Sequence, residues 1–421
     1  MSEAERKKFI QAIKGTKDIL PNEVWMWQQL EEITGSLFER YGYREIRTPV
    51  FEATELFKKG TGETSDIVTK EMYSFCDKGG RDITLRPEYT PSVVRSIIEH
   101  RLHLQTAPLR YYYIGPMFRF DKPQKGRYRQ FHQIDVEVFN EKDAAIDAEL
   151  VEMAYQLLNR LGVKKTHILV NSVGCSACRP SYHLHLRQSA KNAREQLCED
   201  CRRKIETNPL RIFDCKEKSC REASEEFPRI TDHLCDECRD HFAAFCTYLD
   251  EVDLAYRIES RLVRGLDYYT KTTFEFTSDA LGAQDAILGG GRYDDMMKQF
   301  GGPDICGIGF AVGVERLLSV AALKENMREW LYIATMGPEA RMMGMKIAAE
   351  IRKRGGECLI EYRERSLNKQ LSRAHKLGAG KVILIGEEEI RSGCIQIKDM
   401  SSGKQMEVAA DRLPDVLNGS D

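Results

Sequence analysis

Two stretches of this sequence carry side chains able to do chemistry together. In RYYYIGPMFRFDKPQKGRYRQFHQIDVEVFN (Arg110–Asn140), two strand-like runs flank the turn-rich, basic segment DKPQKG. At the period of two of a strand, the even positions of the second run are Tyr128, Gln130, His132, Ile134, Val136 and Val138, and their later half is plain core. The odd positions are Arg127, Arg129, Phe131, Gln133, Asp135 and Glu137. If that face is covered, its polar groups are costly to bury without partners, and such a mixture suits a small polar ligand. An exposed face with cross-strand ion pairs gives the same pattern. Arg119 lies near the end of the first run and Arg127 begins the second, so two guanidiniums flank one hairpin mouth. Their planar paired donors suit carboxylate or phosphate. With the basic loop Lys122–Lys125 between them, they suggest a polyanion such as a nucleotide.

Other segments add to this set. TLRPEYT (Thr84–Thr90) offers Glu88 on a Pro-punctuated turn, and VRGLDYYT (Val263–Thr270) combines Arg264 with Tyr268 and Tyr269. The glycine run of ILGGGRYDDM (Ile287–Met296) suggests close backbone approach. It is not a Walker loop, because no GK[ST] follows, and GIGFAVG does not continue as a dinucleotide fingerprint. No Ser-His-Asp or Cys-His arrangement is evident. The second stretch is Cys175–Cys238, which holds eight of the thirteen cysteines: Cys175-x2-Cys178, Cys198-x2-Cys201, Cys215-x4-Cys220 and Cys235-x2-Cys238. These thiolates suffice for two four-cysteine sites, with tetrahedral Zn²⁺ the expected occupant. An iron–sulfur cluster uses the same ligands, and reduced structural thiols are the alternative. Which pairs share a metal is open at this level. Cys76, Cys246, Cys306, Cys358 and Cys394 read as ordinary buried residues.

The elements that must position these groups fall into a few parts. At 421 residues the chain suggests two or three domains, and 42% apolar with 30% charged residues fits a globular protein. A formal net charge of −2 excludes a nucleic-acid binder working by bulk basicity, though not one with a local patch. The polar start MSEAERKKFIQAIKGT lacks a signal-peptide core, and no apolar run approaches the ~20 residues of a transmembrane helix, so a cytoplasmic location without membrane contact is expected. Val24–Tyr43 places Trp27, Leu30, Ile33, Leu37 and Tyr41 at helical spacing. Glu45–Phe51 reads as a strand with Pro49 at an edge or bulge. The Cys-rich segment reads as an insertion within one domain, with strand-like sequence resuming at Leu262–Thr277 and a Gly-rich strand running into a helix at Gly307–Val320. From about Trp330, the runs WLYIAT, CLIEY, KVILIG and CIQIKD alternate with amphipathic stretches, indicating a small α/β domain. Arg341–Lys381 holds 11 Lys/Arg against 4 Asp/Glu, either a solvated helix face or a patch that meets phosphates.

Taken in order, these residues resemble histidyl-tRNA synthetases, a family of class II aminoacyl-tRNA synthetases, over nearly the whole chain. Pro49 sits where the first class motif has its interface proline. Phe118-Arg119 through Gly126–Phe131 matches the second motif, and Gly307–Leu318 with GVERL matches the third. Two histidine-specific signatures accompany them, RGLDYYT at Arg264–Thr270 and GGGRYD at Gly289–Asp294. The resemblance implies an α/β fold: an antiparallel class II sheet flanked by helices over 1–169 and 251–328, the cysteine-rich insertion over 170–250, and an α/β anticodon-binding domain over 329–421. It implies that Arg119, Arg127 and Arg316 bind ATP, and that Arg264, Arg119 and Arg316 are catalytic. Glu88, Tyr89, Thr90, Arg119, Gln133, Glu137, Arg264, Tyr268 and Tyr269 would bind histidine. Carboxylates can read the α-amino group and an imidazole N–H, while Tyr and Gln supply neutral donors and acceptors.

The implied activity is histidine–tRNA ligation: ATP and Mg²⁺ activate histidine, and a homodimer delivers it to tRNA(His). Gln124, Lys125 and Arg129 would meet the acceptor stem, and the Arg341–Lys381 patch would meet RNA. Familiar bacterial members carry the insertion without these cysteines, so the resemblance does not itself imply metal. Zinc stapling a segment too small to build its own core is the expectation from the residues. Two other readings stand beside the ligase: an inactive regulatory or RNA-binding paralogue on the same scaffold, and a metal-dependent nucleic-acid-binding module with a vestigial core.

Overall fold

The computed structural model describes residues 10–62, 65, 67–106, 108–121, 126–263, 268–281, 286–325, 330–410 and 412–413. The chain forms two compact units, 1–324 and 325–421.

In chain order the first unit contains strands β1 (Arg44–Glu45), β2 (Phe51–Ala53), β3 (Tyr73–Cys76), β4 (Asp82–Leu85), β5 (Leu109–Phe118), β6 (Gln130–Phe139), β7 (Thr166–Ser172), β8 (Tyr256–Ile258), β9 (Thr270–Ser278), β10 (Ala286–Arg292) and β11 (Gly307–Gly313). Eight of them make one sheet in the order β1-β5-β6-β11-β10-β9-β7-β8, and β2-β4-β3 make a small second sheet. The interior pairs of the large sheet are antiparallel, as expected, but β1–β5 and β7–β8 at its two edges pair in parallel, so the sheet is mixed.

One face of the large sheet is covered by helices α1 (Val24–Arg40) and α2 (Ala144–Arg160), with Leu30, Phe38, Leu150, Leu157, Val136, Phe274 and Phe310 in one buried cluster. Helix α1 ends at Arg40, short of the predicted Tyr43, because Gly42 takes φ +80° and turns the chain out of the helix. The predicted strand 45–51 is broken in the same way by local chemistry. Proline lacks an N–H for a ladder, and Pro49 lies in the irregular stretch between β1 and β2, which belong to different sheets.

The segment between β7 and β8 is helical, with α3 (Arg179–Asn192), α4 (Glu199–Thr207), α5 (Lys218–Ala223) and α6 (Asp236–Glu251). Tyr182, Leu186, Ile205, Ile212 and Ile230 form a small core of its own with Cys201 and Cys220. Helix α6 packs back on the main core through Phe242, Phe245 and Leu249. Its His241 Nε2 lies 2.9 Å from Asp147 Oδ2, the carboxylate that also holds the buried Arg292.

The second unit orders its strands β13 (Cys358–Ile360), β12 (Leu331–Thr335), β14 (Lys381–Ile385), β15 (Cys394–Asp399) and β16 (Gln405–Ala409), the first three parallel and the rest antiparallel. Helices α7 (Pro338–Lys353) and α8 (Leu367–Lys376) connect the parallel strands, the βαβ arrangement that alternating runs require. Of the five scattered cysteines, Cys306 and Cys358 are buried as expected. Cys76 is exposed and Cys246 and Cys394 are partly exposed, because strand ends and helix flanks leave them outside the cores. Among the described residues no helix is long and apolar enough to cross a membrane.

Candidate functional site

The β5–β6 hairpin sets the frame. Gln133, Asp135 and Glu137 pair across to Gly115, Tyr113 and Tyr111 on one side, and to Gly313, Ala311 and Gly309 of β11 on the other. Ile134, Val136 and Val138 point into the main core, so the alternate positions Phe131, Gln133, Asp135 and Glu137 face the other side. That face is covered at Asp135 and Glu137, and among the described residues no ion pair spans it. It floors a cavity of about 470 Å³, a typical size for a small-molecule site.

Small residues make the room. At Gly309 a Cβ would collide with Glu137 Oε2 and the Val136 carbonyl, and at Gly290 with the Gly309 carbonyl and Phe274. The close approach expected of the glycine run is therefore real, and Gly289 lines the cavity itself.

Of the carboxyl groups that line this cavity, Glu88, Asp135 and Glu137 are buried, each no more than 5% exposed. Glu137 accepts hydrogen bonds from Thr90 Oγ1 at 2.5 Å, from Tyr113 Oη at 3.2 Å and from Tyr293 Oη. Burial pushes its carboxyl up to about 8; those three hydroxyls pull against burial, and Glu88 adds to the rise. Glu88 accepts from Thr61 Oγ1 and, at 3.1 Å, from Tyr268 Oη, and burial raises it despite those bonds and the Arg119 charge. Asp135 is pushed well above the usual carboxylate range by burial and by Glu137 and Glu88, with Arg86 and Arg119 opposing. Its Oδ2 and the Oε1 of Gln133 are buried without a hydrogen-bond partner among the described residues. Buried polar atoms left unsatisfied are costly, so these two mark where a polar ligand belongs.

Backbone carbonyls hold two of the cations and a carboxylate holds the third. Arg119 Nε donates to the Pro87 carbonyl at 2.8 Å and its guanidinium lies 5.3 Å from the Phe131 ring centre. Arg127 pairs with Asp121 at 2.8 Å, and Arg316 donates to the Ala286 carbonyl at 2.7 Å. Glu315 beside it receives the His132 amide at 3.0 Å.

Every described residue expected to bind histidine or ATP lines this one cavity: Glu88, Tyr89, Thr90, Arg119, Arg127, Gln133, Glu137, Tyr268, Tyr269 and Arg316. Arg264, Gln124 and Lys125 lie outside the described residues. Tyr89 differs from its neighbours in what it offers, since its ring stacks 3.4 Å from Tyr113 and its hydroxyl accepts the Thr48 amide. Arg129 is engaged elsewhere, donating to the Lys14 carbonyl at 3.2 Å and lying over Phe120. Sequence reasoning left Tyr293, Tyr113, Thr61, Asp135 and Arg211 out of the site. For Asp135 the period-two pattern was a sufficient signal, because it stands between Gln133 and Glu137. Nothing local marks Thr61 or Arg211, which reach the site from distant segments.

The eight clustered cysteines resolve into two groups, Cys175/Cys178/Cys235/Cys238 and Cys198/Cys201/Cys215/Cys220, with the sulfurs of each within 4.8 Å of one another. The outermost pairs share one group, which encloses the sequence of the other. Individual S···S distances of 3.6, 3.9 and 3.8 Å are too long for disulfides. They are near the ~3.8 Å edge of a tetrahedron with metal–sulfur bonds of about 2.3 Å. Backbone N–H groups of Cys235 and Cys220's neighbour Cys198 donate to Cys178 and Cys220 sulfurs at 3.2 and 3.1 Å, bonds that favour thiolates.

Comparison with known proteins agrees with this geometry. Residues 15–317 match the family described as histidyl-tRNA synthetase, and residues 331–419 match the anticodon binding domain. A histidine–tRNA ligase of Desulfitobacterium hafniense is 46% identical over 413 residues, 97% of both chains. Another, of Desulforamulus reducens, is 47% identical over 405 residues, 95% of this chain and 97% of the relative. The crystal structure of apo S. aureus histidyl-tRNA synthetase superposes with a TM-score of 0.83 at 35% identity, covering 97% of this chain and 99% of that one.

Proposed function

This chain belongs to the histidyl-tRNA synthetase family, and from that premise we propose how its own residues carry the ligation of histidine to tRNA. The reaction has two steps. The histidine carboxylate attacks the α-phosphorus of ATP, forming histidyl-adenylate and releasing pyrophosphate. A terminal hydroxyl of tRNA(His) then attacks the acyl carbon, and AMP leaves.

We assign the two clamped carboxyls to the two ends of histidine. Glu88 feels the Arg119 charge, so it lies on the side where the substrate carboxylate meets phosphate. It reads the adjacent α-ammonium, helped by Gln133. Glu137, enclosed by Tyr113, Tyr293 and Gly309, reads the imidazole N–H. Ligand groups that hydrogen-bond Gln133 and Asp135 would satisfy atoms that have no partner among the described residues. Arg119, Arg127, Arg316 and, by its signature, Arg264 hold the phosphates and offset the charge that grows on them in the in-line displacement. Mg²⁺ accompanies ATP in this family's chemistry and would neutralise phosphate charge.

The observation that carries this reading is the convergence of buried carboxyls and guanidiniums on one cavity. An inactive scaffold would not need these buried, costly acids. ATP–pyrophosphate exchange with each of the twenty amino acids tests it: exchange with histidine alone is expected, and exchange with none would return the chain to a regulatory role.

The two cysteine groups fit structural Zn²⁺, with four thiolates and no open position. Two such centres would close the loops of the 170–250 insertion, whose own core is small. The motif around Pro49 supports a homodimer, and the basic stretch Arg341–Lys381 supports RNA contact by a 329–421 anticodon-binding domain in the cytoplasm.

A further inference from the structure

Arg211 is the one described cavity-lining residue that comes from the 170–250 segment. It sits on a single 3₁₀ turn, Pro209–Ile212, whose Pro209 and Ile212 are buried in the insertion's core. The backbone around it is tied down: the Arg211 amide donates to the Asn208 carbonyl, and the Phe213 amide to the Leu210 carbonyl, both at 3.1 Å. The Cys215 amide donates to the Ile212 carbonyl at 3.1 Å, and Cys215 Sγ lies 3.8 Å from Cys198 Sγ. The turn is therefore the middle of the loop that Cys201 and Cys215 close. The side chain is 15% exposed and lies 4.0 Å from Asp214. Ile67 and Glu71 of the core segment 67–71 line the same cavity. Asp200 on α4, held low mainly by Lys204, also feels Lys70.

We propose that Arg211 is a further phosphate-binding residue of this active site, delivered to the cavity by the inner four-cysteine centre. The other guanidiniums, Arg119, Arg127 and Arg316, are set by the large sheet and its flanks. Arg211 instead belongs to a separately closed module. Its charge suits an oxyanion, and its planar fork suits phosphate oxygens. The reaction presents phosphates twice: the triphosphate of ATP in activation, and the terminal phosphodiester of tRNA in transfer. Delivery by the centre rests on the metal reading above, whereas the presence of the cation in the cavity does not.

The test uses full-length, metal-loaded Arg211→Ala and Arg211→Lys. ATP–pyrophosphate exchange gives KM for ATP and for histidine, and single-turnover transfer from preformed adenylate gives the tRNA dependence. A charge-assisted contact predicts a loss of about tenfold or more for Arg211→Ala, with histidine KM unchanged and much of the loss recovered in Arg211→Lys. A rise in ATP KM identifies the nucleotide as the phosphate source, and a loss confined to transfer identifies tRNA. Unchanged kinetics in both steps, or a histidine KM that moves with that of ATP, would overturn the assignment. Cys215→Ser, with metal counted by elemental analysis, separates the delivery. Loss of about one metal with the Arg211→Ala phenotype supports it, and loss of that metal without any kinetic effect overturns it. A metal-free wild type would defeat the metal reading while leaving the Arg211 variants to decide the residue's role.

Discussion

The candidate site and the cysteine-rich insertion occupy one compact unit yet are organised by different means. The pocket is cut into an eight-stranded sheet with a large apolar core behind it, and alternation along β6 puts Gln133, Asp135 and Glu137 on the face away from that core. The sheet is rigid enough to hold three desolvated carboxyls that the folded chain would otherwise avoid. The insertion has short helices, several one-turn 3₁₀ pieces and a modest core, and its sulfurs converge where the chain returns on itself. Where packing is abundant the protein spends stability on function. Where it is scarce, the two cysteine groups stand where metal cross-links would substitute for packing.

The sharpest way to break this contrast is to remove the metal. Stripping with a strong chelator should melt the insertion's helices and leave the sheet domain folded, because structural zinc supplies on the order of 10 kcal/mol to small modules. Far-UV circular dichroism with a thermal scan checks this, and an unchanged scan of verified metal-free protein would remove the distinction between the regions. Next in size, Arg264→Ala should lower the rate of adenylate formation about 10²–10³-fold, the usual effect of losing one preorganised charge-stabilising donor. Its melting curve should match the wild type, and stopped-flow activation measures the rate.

Glu137→Gln keeps the size of the side chain but cannot ionise. It should raise the histidine KM about 10–100-fold, in line with losing the carboxylate that an imidazole N–H would recruit on binding, with ATP KM little changed. The smallest effect concerns stability. The Glu137 carboxyl is held at about 8 in the folded protein, above the ordinary value near 4.5, so folded protein keeps a proton that unfolded chain releases. The stability it contributes is fully present below pH ~4.5 and is lost as pH rises through about 8. Denaturation of wild type and Glu137→Gln across this window should give a difference that grows in the variant's favour with pH. A flat difference would mean that the three hydroxyls at this carboxyl offset its burial.

Much of the site was legible in one dimension. Alternation along β6 separated the core residues Ile134, Val136 and Val138 from the ligand-facing Gln133, Asp135 and Glu137, because a strand's side chains must alternate. The glycines of β10 signalled a close approach, which the collisions at Gly290 explain. The spacing of the cysteines gave the ligand type and number. The helix running on past Arg40 and the strand carried through Pro49 were misread, because Gly42 and Pro49 override apolar periodicity locally.

By itself, then, the sequence determined the residue types, the families of elements and the chemistry available: acids, guanidiniums and thiolates in a fixed order. Only the tertiary structure decided which of the exposed-or-covered alternatives held for β6, which cysteines group together, that Tyr293 and Arg211 line one cavity, and that Thr61 holds its Glu88. The reason is range. Alternation and helical periodicity report on residues two to four apart, where backbone geometry alone fixes direction. Pairings across 27 residues for Thr61 and Glu88, or 156 for Tyr293 and Glu137, depend on sheet register and packing summed over the whole unit.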